Sequence, residues 1–299
     1  MSLFRSLRSK FWIIALVLPW LAGCSAVRLS YNQGSTLAWW WLDSRVDFSA
    51  EQKPLVKAAL NEWFAWHRAT QLPGLADWLA GVREQSADKV TPAQVCAAAD
   101  ALQQRVLGWY LQVLPSAAPI VRQLSAVQID HLAKHYATTD AELEREHLQA
   151  DLAERRSQQI KRSVERFETL YGKLDSAQRQ QVAAALDGSA FDADRWLAER
   201  RQRQTDIVTT LRRLLAERAD TATVQATLLA LGEQAITSPR PAYRVYSEQL
   251  TLSNCAFAAR MHNAMGVAQR RHLSDTLKGW ESDARALAAV AVATGPAVR

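Results

Sequence analysis

Glycine and proline are scarce in this chain, 11 and 9 among 299 residues. No alternating apolar and polar run stands between hairpin turn signals, which argues against a strand-built fold. Cysteine numbers three, too few for a disulfide-framed scaffold. The reactive patterns of common enzymes are missing: there is no Gly-x-Ser-x-Gly elbow, no phosphate-cradling glycine loop and no Cys–His nucleophile setting. No long Lys/Arg block is present, so nucleic acid is not an expected partner. What remains is rich in Ala, Leu, Gln, Arg and Glu, the composition of a helical chain.

The longest apolar run, "FWIIALVLPWLA" from Phe11 to Ala22, follows Arg5, Arg8 and Lys10. It is short for a spanning helix and has the flanks of a signal peptide. It leads into Leu21-Ala22-Gly23-Cys24, which resembles the lipobox of bacterial lipoproteins. The resemblance implies cleavage between Gly23 and Cys24 and acylation of the Cys24 thiol. Several acyl chains give firm attachment where one gives only marginal binding. By the same likeness, Ser25 after the cysteine favours the outer membrane, with the domain anchored in the inner leaflet and facing the periplasm. Loss of Arg5, Arg8 and Lys10 lowers the formal charge from +6 to +3, so the pI near 9.4 overstates the basicity of the mature chain.

The two other cysteines, Cys96 and Cys255, sit in small, apolar settings. In an oxidising compartment they can form one bridge closing a long loop, or they can be two buried apolar residues.

One short pattern recurs: Ser49-x-x-Gln52, Thr91-x-x-Gln94, Ser125-x-x-Gln128 and Asp175-x-x-Gln178, with Gly266-x-x-Gln269 as a less well capped copy. This spacing makes a capping box, in which the first side chain accepts from the amide of the third helical residue and the glutamine reaches back. Apolar or small residues follow at steps of four, so each module has a face to bury. The intervals between modules are too uneven for a solenoid.

The expected fold is all-α, an irregular bundle of helical hairpins with one long charged helix near 140–173. In that helix Ile160, Val164, Phe167 and Tyr171, followed by Leu174, make a coiled-coil-like seam. Other helices are expected near 36–46, 51–70, 73–86, 91–114, 117–136, 176–187, 191–218, 221–236 and 240–292, the last broken near Gly266. The expected organisation is a signal peptide at 1–23, a lipidated tether at 24–35, a helical domain at 36–292 divisible into 36–138 and 139–292, and a disordered tail at 293–299.

Titratable groups give little. His131 and His135 have metal-compatible spacing, with His147 beyond, but no Glu stands where a zinc protease needs its base, and an ordinary histidine pair is the expectation. Glu62 and Glu281 lack a supporting glycosidase context. The arginines between 195 and 218 alternate with acids, the pattern of a solvated face. No cofactor or metal is expected, and the chain does not read as an enzyme.

Aromatics are more telling, because Trp39, Trp40, Trp41, Trp63, Trp66 and Trp78 cluster early. Consecutive helical residues turn by about 100°, so the three adjacent tryptophans cannot share one partner. Leu37, Trp40 and Trp41 are assigned to a buried stripe, which leaves Trp39 as the candidate contact with membrane head groups.

The lipobox, together with "LAWWWLDSRVDF", "LNEWFAWHRATQLP" and "AQRRHLSDTLKGWESDARAL", resembles an uncharacterised family of proteobacterial lipoproteins defined by a domain of unknown function. That likeness implies an all-helical envelope protein and no particular activity. A weaker likeness, carried by Leu124-Ser125-Ala126-Val127-Gln128, is to periplasmic stress-response and chaperone proteins with Leu-Thr-x-x-Gln helix starts. The leading expectation is a non-catalytic helical interaction or structural module, held to membrane lipid through Cys24 and meeting an envelope protein partner. The alternatives are a chaperone-like adaptor and a peptidoglycan-directed enzyme or binder.

Overall fold

A computed structural model describes residues 26–294, which are helical throughout, joined by short turns. The expected signal peptide, Gly23, Cys24 and the end of the expected tail lie outside the described residues.

Two short helices, α1 (Ala26–Asn32) and α2 (Gly34–Val46), lead into α3 (Gln52–Trp66). A π-helical turn at His67–Gln71 joins α3 to α4 (Leu72–Gln85). The remaining helices are α5 (Pro92–Val121), α6 (Ala126–His147), α7 (Leu152–Tyr171), α8 (Ser176–Asp187), α9 (Ala193–Ala216), α10 (Thr221–Ile236), α11 (Pro241–Asn263) and α12 (Val267–Thr294). The main pairings are α12 on α4, α10 and α11 on α5, and α9 on α6. Three of these join residues 36–138 to residues 139–292, so the two stretches pack against each other.

The expected long helix at 140–173 is two helices. Asp151 ends the continuity because its carboxylate accepts from the amides of Ala153 and Glu154 and starts α7 afresh. The preceding turn belongs to α6, where Asp140 and Glu144 meet Arg200 and Arg201 of α9. Conversely, α5 runs on to Val121 through Pro115 and Pro119. Its break comes where Ser125 caps α6, at a true capping box. Pro54 causes no kink: it lies in the first turn of α3, where backbone amides have no intrahelical acceptor.

The recurrent glutamines hold the fold in a way their spacing does not foretell. Gln128 Nε2 donates to Gln52 Oε1 at 2.6 Å, and Gln178 and Gln269 exchange bonds of 2.7 and 2.8 Å. Each glutamine also caps its own helix, accepting from the amide three residues before it. Each then donates to the carbonyl five residues before its partner: Gln52 to Gln123, Gln128 to Asp47, Gln178 to Ala264 and Gln269 to Lys173. The residue four before each glutamine, Phe48, Leu124, Leu174 or Met265, is buried. The molecule therefore contains the same two-helix junction twice, at α3/α6 and at α8/α12. Each junction anchors a separate core: Trp39, Phe48, Val56, Leu124 and Ile129 in one, and Val164, Tyr171, Leu174, Val182 and Leu273 in the other. The seam read from the α7 sequence lies in this second core.

Replacing Gln178 with Ala is expected to cost about 2–4 kcal/mol, because it strands the Asp175 amide, the Ala264 carbonyl and the Gln269 side chain together. Urea unfolding of Gln178→Ala, Gln269→Ala and the pair checks this. The double variant should cost less than the sum, since each single change orphans the other partner; strict additivity would show that the bonds between them contribute nothing.

Candidate functional site

The site is a cleft of about 760 Å³ between α7, α11, the end of α8 and the start of α9. Gln159, Arg162, Ser163, Arg166, Phe167 and Leu170 of α7 fall at helical steps of three and four and form one wall. Leu250, Ser253, Asn254 and Phe257 of α11 do the same opposite. Leu186, Phe191 and Trp196 close the end. Phe167 and Phe257 meet edge to face at 5.3 Å, making the apolar floor continuous from wall to wall.

The rim is cationic. Arg162 is held in place by the Glu146 carbonyl and His147 Nδ1, both at 3.2 Å. Burial and the neighbouring Arg162 push the His147 imidazole below its ordinary range, against the opposing pull of Glu146. Its ring meets Trp196 edge to face at 5.4 Å. Arg166 and Arg260 reach solvent along the same rim. None of the described residues lining the cleft is an Asp or a Glu. An apolar floor under guanidinium groups, with the acids Asp192 and Asp194 set on the adjoining wall beyond Arg162, suits a ligand that is apolar on one side and anionic on the other. The volume falls within the range of small-molecule sites.

The residues singled out from the sequence lie elsewhere. Cys96 and Cys255 are joined as a disulfide, with Cα atoms 5.5 Å apart, tying the start of α5 to the middle of α11. Trp39 does not face outward. Its ring is buried, stacked on Phe48 at 5.9 Å, while Trp40 and Trp41 are 63% and 57% exposed. The reason is register: Trp39, Leu42 and Val46 share the stripe that meets Phe48 and Val56, and Leu37, Trp40 and Trp41 lie on the opposite stripe. His131 contacts the Ser44 carbonyl, and among the described residues no group of three His, Cys, Asp or Glu side chains is placed to hold a metal. Glu62 is exposed, whereas Glu281 is buried and bound to Arg83, Lys278 and Arg285. Most of the α9 arginines pair with acids, among them Arg212 with Asp130 of α6, Arg203 with Glu199 of α9 and Arg213 with Glu217 just past its end, while Arg195 donates to the Ala242 carbonyl.

The cleft is not legible in the sequence. Its α7 wall reads as solvated charge beside the seam, and only the arrival of α11 converts Phe167 and the arginines into a lined surface.

A helical protein with an open, aromatic-floored cleft and a long-range disulfide between α5 and α11 is the class that the described residues define. The chain belongs to a family of unknown function, DUF6279, whose profile matches residues 44–235. No curated protein and no solved structure matches the chain.

Proposed function

We propose that this is an envelope lipoprotein, tethered through acylated Cys24 to the inner leaflet of the outer membrane, whose periplasmic helical domain is a non-catalytic binding module. The observation that carries the binding role is the cleft, with Phe167 and Phe257 as its floor and Arg162, Arg166 and Arg260 on its rim. The Cys96–Cys255 bridge supports the compartment, since such bonds persist where the surroundings are oxidising. A chaperone-like role is favoured by the same exposed apolar floor, which would hold apolar segments of a client. The peptidoglycan-enzyme reading draws no support from Glu62 and Glu281, which have separate settings.

An anionic aromatic probe, 1-anilinonaphthalene-8-sulfonate, tests the site. Its fluorescence is expected to rise on binding the native chain. The Arg166→Glu/Arg260→Glu variant should weaken that binding about tenfold, a change of roughly 1.4 kcal/mol. Both side chains reach solvent, so far-ultraviolet circular dichroism should be unchanged. Equal affinity in the two proteins would remove the cleft from the proposal.

A further inference from the structure

Helix α2 is apolar on two opposite faces, and only one of them is covered. Trp39, Leu42 and Val46 enter the core with Phe48, whereas Leu37, Trp40 and Trp41 are 46%, 63% and 57% exposed. A helix apolar all round is ordinarily buried all round. No acid lies on the exposed stripe, which continues to Ser44. The Arg45 guanidinium sits 3.8 Å over the Trp41 ring and donates to the Trp41 carbonyl at 2.7 Å, a cation fixed at the edge of the patch.

We propose that the Leu37/Trp40/Trp41 face of α2 lies in the head-group layer of the bilayer, with Arg45 against lipid phosphate. This rests on the reading of Cys24 as the lipid anchor. The chain itself argues for a bilayer as the occupant. The described chain is already helical at Ala26, two positions after Cys24 in sequence, and this helix presents exposed Val27 and Leu29. Thirteen positions separate Cys24 from Leu37, about 20 Å at helical rise, so an acylated Cys24 keeps α2 beside the membrane surface. Indole rings prefer that boundary, where the apolar body is shielded and the N–H stays wet. An arginine beside them pairs with phosphate. Through α2 the contact would hold the domain in one orientation on the membrane, which a flexible lipid tether alone does not do.

The test uses the full chain produced in cells that process lipoproteins, compared with Trp40→Ser/Trp41→Ser and with Cys24→Ser. Mass spectrometry of the N-terminus reports acylation independently of the face. Each protein is mixed with phosphatidylethanolamine/phosphatidylglycerol vesicles whose acyl chains are brominated near the head group, and tryptophan quenching is read. The acylated native chain should be quenched, and the double variant, equally acylated, should lose most of that quenching. Unacylated Cys24→Ser produced without residues 1–23, so that the apolar run Phe11–Ala22 is absent, should still partition onto the vesicles, about fivefold better than the same chain with both tryptophans replaced. Equal quenching with and without the two tryptophans on an acylated chain overturns the face and leaves the anchor standing. An unmodified Cys24 in the native protein overturns the anchor, and the Cys24→Ser partition then decides the face alone. Dimers in sedimentation that vanish on Trp40→Ser/Trp41→Ser would assign the face to a second copy of the chain and overturn the proposal.

Discussion

Cys96→Ala/Cys255→Ala unfolds at markedly lower denaturant than the native protein, with a loss of about 3–5 kcal/mol expected from the chain entropy that the bridge removes. The two cysteines are 159 residues apart in sequence, so the closed loop takes in everything from α5 to α11. An unfolded chain with that loop closed has far fewer conformations to gain. Native packing at the bridge is not its only support: Asn263 exchanges two 2.9 Å bonds with the Val90 backbone, and His262 bonds the Asp88 carbonyl at 2.8 Å. The variant is therefore expected to fold and to lose stability rather than structure. Guanidinium unfolding with and without reductant checks this. Reduction should bring the native midpoint down to that of the variant and leave the variant unmoved. A native midpoint insensitive to reductant, with the free thiols confirmed, would show that the bridge contributes nothing.

The local chemistry of this fold is legible in the sequence, and its long-range chemistry is not. A polar residue three before a glutamine marks helix starts at Thr91, Ser125 and Asp175, and all three are complete capping boxes. That Gln52 would meet Gln128, and Gln178 meet Gln269, depends on partners 76 and 91 residues away, which no local pattern encodes. The three tryptophans show the same limit. Periodicity requires them to diverge but cannot select the buried one, because α2 is apolar on both faces; the choice falls to Phe48 and Val56, which meet only the Trp39 side. Helix ends are not legible where a single side chain decides them. Asp151 cuts the expected 140–173 helix, although a long charged run reads as uninterrupted. The cleft is the extreme case, since its two aromatic floor residues, Phe167 and Phe257, are 90 positions apart and only their contact makes a site.

Acid should unfold this protein partly through one carboxylate. Glu199 is buried on α9 and accepts from Arg240 at 2.6 and 2.7 Å, Ser238 at 2.7 Å and Arg203 at 3.0 Å, which fastens the turn before α11 to α9. Burial on its own would raise the carboxyl, but the bonds from Arg240, Ser238 and Arg203 outweigh it and bring the group down to about 2, against an ordinary value of 4.5. Because the folded value is the lower one, the unfolded chain binds the proton more readily as pH falls. The contribution of Glu199 is complete at neutral pH, begins to fade as pH drops through about 5, and is gone below about 2. At pH 7, Glu199→Gln is expected to cost about 3–5 kcal/mol, since it leaves Arg203 and Arg240 without the charge that offsets their desolvation. Asp206, 2.8 Å from Arg240, keeps that arginine partly compensated and argues for the lower end of the range. Urea unfolding of both proteins between pH 7 and pH 3 separates this role from simple packing. The gap between native and variant should narrow steadily with acid, because below about pH 4.5 the unfolded native chain takes up a proton on Glu199 that the folded one does not bind until about pH 2; a gap that stays constant would assign the cost to shape rather than charge.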